Sequence, residues 1–234
     1  IAQGLGIDLR QTYERPSQPP LAKQGRYAHA RQTQRARREQ KRLKTYLGRV
    51  MRDIERKVAA GPIQEVQEHT RLTRLLEIAR RIHTQQRHDT GKVYSMHAPE
   101  VECIAKGKAH RPYEFGVKVG VVVTSRESFV VGMQALPGNP YDGHTLKQAL
   151  YQVERLTGQR PERCYVDLGY RGHDVHDVTV FKARQKRGVT HSIRRELKRR
   201  NAIEPIIGHM KSDGLLQRNY LQGAEGDAIN AILC

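Results

Sequence analysis

Cys164-Tyr165-Val166-Asp167-Leu168-Gly169-Tyr170-Arg171-Gly172 is the stretch on which the fold turns. Cys164 to Val166 is a short apolar run that reads as a strand. It ends on an acid, and a glycine-bounded turn from Gly169 to Gly172 follows at once. The expected arrangement is a strand with a carboxylate at its C-terminal end. Asp167 also has a plainer role open to it, as a turn or cap residue in Asp-Leu-Gly-Tyr.

Working outward, a basic stretch from Lys182 to Arg200 leads into Ile203, Glu204, Ile206, Ile207 and Met210, which are spaced as on a helix. Pro205 disfavours helical backbone at Glu204, so either a new helix starts there or a kink turns Glu204 inward. Upstream, Leu146, Leu150, Val153 and Leu156 line one face of a helix that Asp142 could cap and Gly158 could stop. Before it, Tyr113–Val123 and Phe129–Leu136 are rich in valine and aromatics. The polar residues Thr124 to Glu127, with Ser128, suit a hairpin connection between them. Strand, strand, helix, strand, helix predicts a mixed α/β fold with helices packed on a sheet.

The N-terminal part has a different texture. Residues 1–25 hold Pro16, Pro19 and Pro20 among polar side chains and read as a linker or extended arm. From Arg26 to Ala60, Leu43, Leu47, Val50, Met51, Ile54 and Val58 form the apolar face of a helix whose other face is crowded with arginine and lysine. Gly61 and Pro62 break it, and a second helix carries Leu72, Leu75, Leu76, Ala79 and Ile82. The expected organisation is an arm over 1–25, a basic helical hairpin over 26–91 and an α/β domain over 92–234. Both ends of the chain read as cut, with Ile1 in place of a methionine and an uncapped apolar run from Ala228 to Cys234.

Lys and Arg number 42 against 24 Asp and Glu, a formal net charge of +18 with a pI near 10.2. Such an excess points to a polyanionic partner, with nucleic acid first. No apolar run approaches the roughly 20 residues that span a bilayer, so no membrane partner is expected. Cys103, Cys164 and Cys234 stand far apart without a Cys-x-x-Cys pair, which argues against a zinc ribbon or a disulfide framework and for buried free thiols.

A basic chain with well-placed acids suits metal-assisted phosphodiester chemistry. That chemistry needs carboxylates from different elements converging on hard cations. Asp167 at a strand end and Glu204 on a later helix fit best. Pairing of Glu204 with nearby arginines is the competing account for that residue.

Six strings carry a resemblance: His97-Ala-Pro-Glu-Val-Glu-Cys-Ile, Lys106-Gly-Lys, Tyr113-Glu-Phe-Gly-Val-Lys, Leu136-Pro-Gly-Asn-Pro-Tyr-Asp-Gly-His-Thr-Leu, Tyr165-Val-Asp-Leu-Gly-Tyr-Arg-Gly and Ile203-Glu-Pro-Ile-Ile-Gly-His-Met-Lys. From about Arg26 onward, in this order, the chain resembles the DDE transposases of bacterial insertion sequence family five. The resemblance implies a ribonuclease-H-like mixed sheet with flanking helices and a helical insertion. It also implies Mg²⁺- or Mn²⁺-dependent cleavage and strand transfer at insertion-sequence ends, in the cytoplasm, with room for a homo-oligomer in the DNA complex. Carried over by motif, Asp167 is the second catalytic Asp and Glu204 the catalytic Glu, and both are metal ligands. Arg199, Arg200 and Lys211 match the basic signature around that Glu.

Two departures stand out. Position 168 is Leu where relatives carry Arg or Lys. The family's first Asp lies on a strand upstream of anything matched here, so the chain as given is expected to be inactive. Asp142 and His144 match a string at the edge of the family's site, and helix capping is the simpler account of Asp142. His209 could reach a phosphate, although packing is the commoner use of a histidine beside a methionine.

For DNA contact, Lys106 and Lys108 with His110 form a small basic cluster. Arg194, Arg195, Arg199 and Arg200, with Lys211, form part of a larger one that takes in Lys182, Arg184, Lys186 and Arg187. Clusters of this kind bind the backbone and do not read bases. A non-enzymatic basic nucleic-acid-binding protein using the helical hairpin is the competing function, and the product of a decayed element is a third.

Overall fold

The computed structural model describes residues 2–61, 66–106 and 112–234, and the chain divides into two units, 1–99 and 100–234. The boundary between the units falls between Pro99 and Glu100. Among the described residues no helix is long and apolar enough to cross a membrane.

The first unit is helical, and it begins by correcting the expected arm. Residues Glu14–His29 form α1 in spite of three prolines. Pro16 stands in the first turn, where a backbone N–H has no helical acceptor. Pro19 and Pro20 each forfeit a helix hydrogen bond, and tertiary packing offsets that loss: Pro20 is fully buried and α1 lies along the next helix. The residues ahead of α1 are packed as well. Ala2 and Ile7 are buried in one cluster with Ile54 and Leu72, and the Arg10 amide donates to Asp53 Oδ2 at 2.9 Å.

α2 (Thr33–Ala60) and α3 (Val66–Thr84) are the two expected helices. They run antiparallel, since Lys44 reaches the Gln85 carbonyl while Glu55 pairs with Arg80. Gly48 marks the crossing, because a Cβ there would lie 2.7 Å from His83 Nε2.

The second unit is mixed α/β. β1 (Glu102–Ala105) pairs with β2 (Tyr113–Gly116), and β3 (Lys118–Val123) with β4 (Val130–Leu136), both antiparallel. β5 (Arg163–Val166) pairs in parallel with β6 (Thr179–Lys182). The single strand expected over Tyr113–Val123 therefore splits: Gly116, at φ +145°, ends β2, and β3 starts two residues later with a new partner. Among the described residues these are three separate two-stranded pairs, not the one continuous mixed sheet that was expected.

Helix packing joins what hydrogen-bond ladders do not. α4 (Asp142–Thr157) lies on β4, where Gly132 lets it approach until a Cβ would stand 3.3 Å from Val153 and 3.0 Å from Gln152 Oε1. Its buried face, Leu146 and Leu150, packs with Val166 of β5 and with Val175 and Val178 before β6. Gly158 ends α4 in left-handed conformation, as its position predicted, and its amide returns to the Glu154 carbonyl. Beyond β6 come α5 (His191–Arg199), α6 (Ile203–Ser212) and α7 (Gly223–Leu233). A 3₁₀ turn over Arg200–Ala202 separates α5 from α6. Of the two options for Pro205, the structure takes the new helix: it stands in the first turn of α6, where its missing donor costs nothing.

Candidate active site

Leu150, 2% exposed, and Val166 anchor the end of β5, so the residue after Val166 leaves the core on a fixed path. That residue is Asp167. Its Oδ1 accepts the Gly169 amide at 2.8 Å and caps the 3₁₀ turn Leu168–Tyr170. The turn role read from the sequence is thus real, and the carboxylate is exposed at the same time.

The first turn of α4 brings a second carboxylate to the same place. Asp142 does not cap the helix: the N-cap position belongs to Tyr141, with no side-chain cap bond. The reason is Lys118 of β3. Its ammonium donates to Asp142 Oδ1 at 3.0 Å and to the Pro140 carbonyl at 2.6 Å, which turns the carboxylate away from the helix amides. Oδ2 then points at the Asp167 turn.

A Cβ on Gly169 would lie 2.4 Å from Asp142 Oδ2 and 3.1 Å from Asp167 Oδ1. The two oxygens are therefore no more than about 5.5 Å apart. Gly169 leaves the space between them open. One further bond and one close approach fix α4 against the turn: Tyr141 Oη donates to the Arg171 carbonyl at 2.7 Å, and Gly143 sits against that carbonyl where a Cβ would be 3.1 Å away. His144 is exposed and edge-on to the Tyr141 ring. The Tyr170 phenol is raised above its usual range, first by burial and then by the negative charges of Asp142 and Asp167.

Next to Leu168 and Arg171 the charge is positive. An open depression beside the turn is lined by Leu168, Arg171, Lys182, Arg184, Gln185 and Arg187, and among the described residues no carboxylate lies in its wall. Gln185 braces the loop by accepting the Lys182 amide and donating to the Arg187 carbonyl. Nothing local prefers Lys182, Arg184 and Arg187 over the other cations of the basic stretch, since only the return of β6 alongside β5 brings them to the turn.

Glu204 is exposed in the first turn of α6. Among the described residues no group of three or more His, Cys, Asp or Glu is arranged to hold a metal. Hard oxygen donors from two elements, with a gap a Cβ would fill, nonetheless suit a magnesium-type cation. His209 is exposed and not packed; its Nδ1 lies 2.7 Å from Asp213 Oδ2 and holds that carboxyl below the usual range.

Arg194, Arg195 and Arg199 are exposed on α5, while Glu196 turns back to the Tyr165 hydroxyl and to Arg163. Arg200 is half-buried against Asn201, and Lys211 is half-buried. Lys106 is ion-paired with Glu114 at 2.8 Å, and Lys108 and His110 lie outside the described residues. All three cysteines are free thiols, half-buried where full burial was expected; burial pushes Cys164 up to about 11.

Comparison with curated proteins gives no match, and neither does comparison with solved structures. Residues 81–234, more than half of the chain, match the family model of the transposase DDE domain, and the chain belongs to that family.

Proposed function

We propose that this chain takes part in Mg²⁺- or Mn²⁺-dependent DNA strand cleavage and strand transfer at insertion-sequence ends, in the cytoplasm. Its second unit would be the catalytic one, built on a ribonuclease-H-like plan, with Asp167 and Glu204 as the catalytic acids. The observation that carries this reading is the pair of carboxylates, Asp142 and Asp167, meeting over Gly169 beside a depression walled by cations.

The chain's own residues divide the work. Arg171, Lys182, Arg184 and Arg187 would hold a phosphodiester against the turn, because guanidinium and ammonium groups neutralise phosphate oxygens. Lys118 keeps one oxygen of Asp142 occupied and the other facing Asp167. Asp167 and Glu204 would hold the cations, with Asp142 beside them. When bound, those cations stabilise charge on the attacking and leaving oxygens. Arg194, Arg195 and Arg199 on α5 add backbone affinity without base reading, assisted by Arg200 and Lys211.

The test is a Mn²⁺ titration of the full chain followed by electron paramagnetic resonance. Asp167→Asn and Glu204→Gln should each weaken Mn²⁺ binding at least tenfold, since an amide is a poorer ligand of nearly the same shape. Parental affinity in both variants would remove them from the site.

A further inference from the structure

We infer that the exposed face of α2 is a docking strip for the phosphate backbone of duplex DNA, built of none of the residues of the carboxylate site or of α5. The first unit holds 21 of the 42 Lys and Arg but only 9 of the 24 acids. α2 alone carries ten of those cations against three carboxylates, Glu39, Asp53 and Glu55.

The structure sorts these charges. Glu39 and Asp53 are buried, and Glu55 pairs across to Arg80 on α3. Arg38, Lys41, Arg42, Arg49, Arg52 and Arg56 are all exposed. At 3.6 residues per turn they share an arc of about 100°, and from Arg38 to Arg56 they run for about 27 Å along the axis. None of the three acids falls within that arc. Arg42 and Arg56 pair with Glu39 and Asp53; Arg38, Lys41, Arg49 and Arg52 form no ion pair among the described residues. The strip's edges are fixed on one side by Tyr13, just ahead of α1, which stacks on Tyr46 and accepts from Arg49, and on the other by the α3 crossing at Gly48.

This geometry selects the partner. A straight, one-sided row of cations follows a regular line of phosphates, and a duplex offers about one charge per 1.7 Å of axis. A membrane surface would need the apolar face of α2 free, and that face is packed with Leu72 and the N-terminal residues. Single-stranded nucleic acid would need open aromatic platforms, whereas Tyr46 is stacked on Tyr13 and Tyr27 lies under Arg35. The inference shares its DNA substrate with the proposed function and does not use its carboxylates.

The experiment measures fluorescence anisotropy of a labelled duplex of arbitrary sequence with the full chain, in EDTA, across a range of KCl. Replacing Arg38, Lys41, Arg49 and Arg52 together by Gln should make the slope of log affinity against log salt shallower by about 3.6, at about 0.9 per lost phosphate contact. Replacing the three arginines by Lys should leave the slope as it was. Because all four side chains are exposed, the urea midpoint should not move, which separates lost contacts from lost fold. An unchanged slope in the Gln variant overturns the inference. So does a loss confined to oligo(U) or to phosphatidylserine vesicles with duplex binding intact. EDTA removes metal chemistry from the measurement, so cation binding can fail at Asp167 and Glu204 while the strip still binds, and the reverse.

Discussion

Gly169→Ala is the smallest change that tests how Asp142 and Asp167 are held together. Gly169 is not in left-handed conformation, so alanine suits its backbone and any effect must come from the methyl group. That carbon would stand 2.4 Å from Asp142 Oδ2 and 3.1 Å from Asp167 Oδ1. An unstrained contact lies near 3.4 Å or beyond, so the Asp142 oxygen must retreat by about 1 Å. It cannot do so freely, because Lys118 holds Oδ1 and the retreat turns Oδ2 away from Asp167. Changes of this size in the support of a metal ligand weaken affinity by about tenfold to a hundredfold. The expected outcome is a loss of that order in Mn²⁺ affinity, read by electron paramagnetic resonance on the full chain, with the urea midpoint nearly unchanged because both carboxylates stand outside the core. Parental Mn²⁺ affinity in a folded Gly169→Ala protein would refute the argument that the two carboxylates act at one place.

Two further outcomes follow from packing and charge. Leu150→Ala should cost about 2–5 kcal/mol in urea unfolding, since the side chain is 2% exposed among Leu146, Val166, Val175 and Val178; a cost well below about 1 kcal/mol would show that these residues do not form one core. Asp53 is held below the usual carboxylate range, first by the Arg10 amide and then by Lys57 and Arg56, against a smaller opposing effect of burial. A depressed folded pKa gives stability that is present above the unfolded value near 4 and is lost as pH falls through the lower folded value. The stability gap between the parent and Asp53→Asn should therefore narrow from pH 7 to pH 3 in urea titrations. A gap independent of pH would show that Asp53 is not charged differently in the folded chain.

How much of this was legible in the sequence depended on how local each signal was. Periodicity placed α2, α3 and α4, and Gly158 marked the end of α4, because an amphipathic face and a left-handed cap are encoded within a few residues. The strand before Asp167 and the turn after it were legible for the same reason. α1 was not, since three prolines argue against a helix locally and only its packing along α2 offsets them. β6 was missed because four residues with a single parallel partner carry no periodic signal of their own.

The site divides along the same line. The sequence by itself determined the basic character of the chain, the strand-end carboxylate of Asp167, the helical setting of Glu204 and, through its motifs, the transposase family. Tertiary structure alone decided that Asp142 leaves its helix cap for Lys118 and faces Asp167 across Gly169. It alone gathered Arg171, Lys182, Arg184 and Arg187 into one wall, and sorted the acids of α2 away from its arginines. The physical reason is range. Helix caps, turns and amphipathic faces are settled between neighbours in sequence, whereas a lysine on β3 reaches Asp142, and a cation beyond β6 comes beside Leu168 and Arg171, only after distant segments have packed.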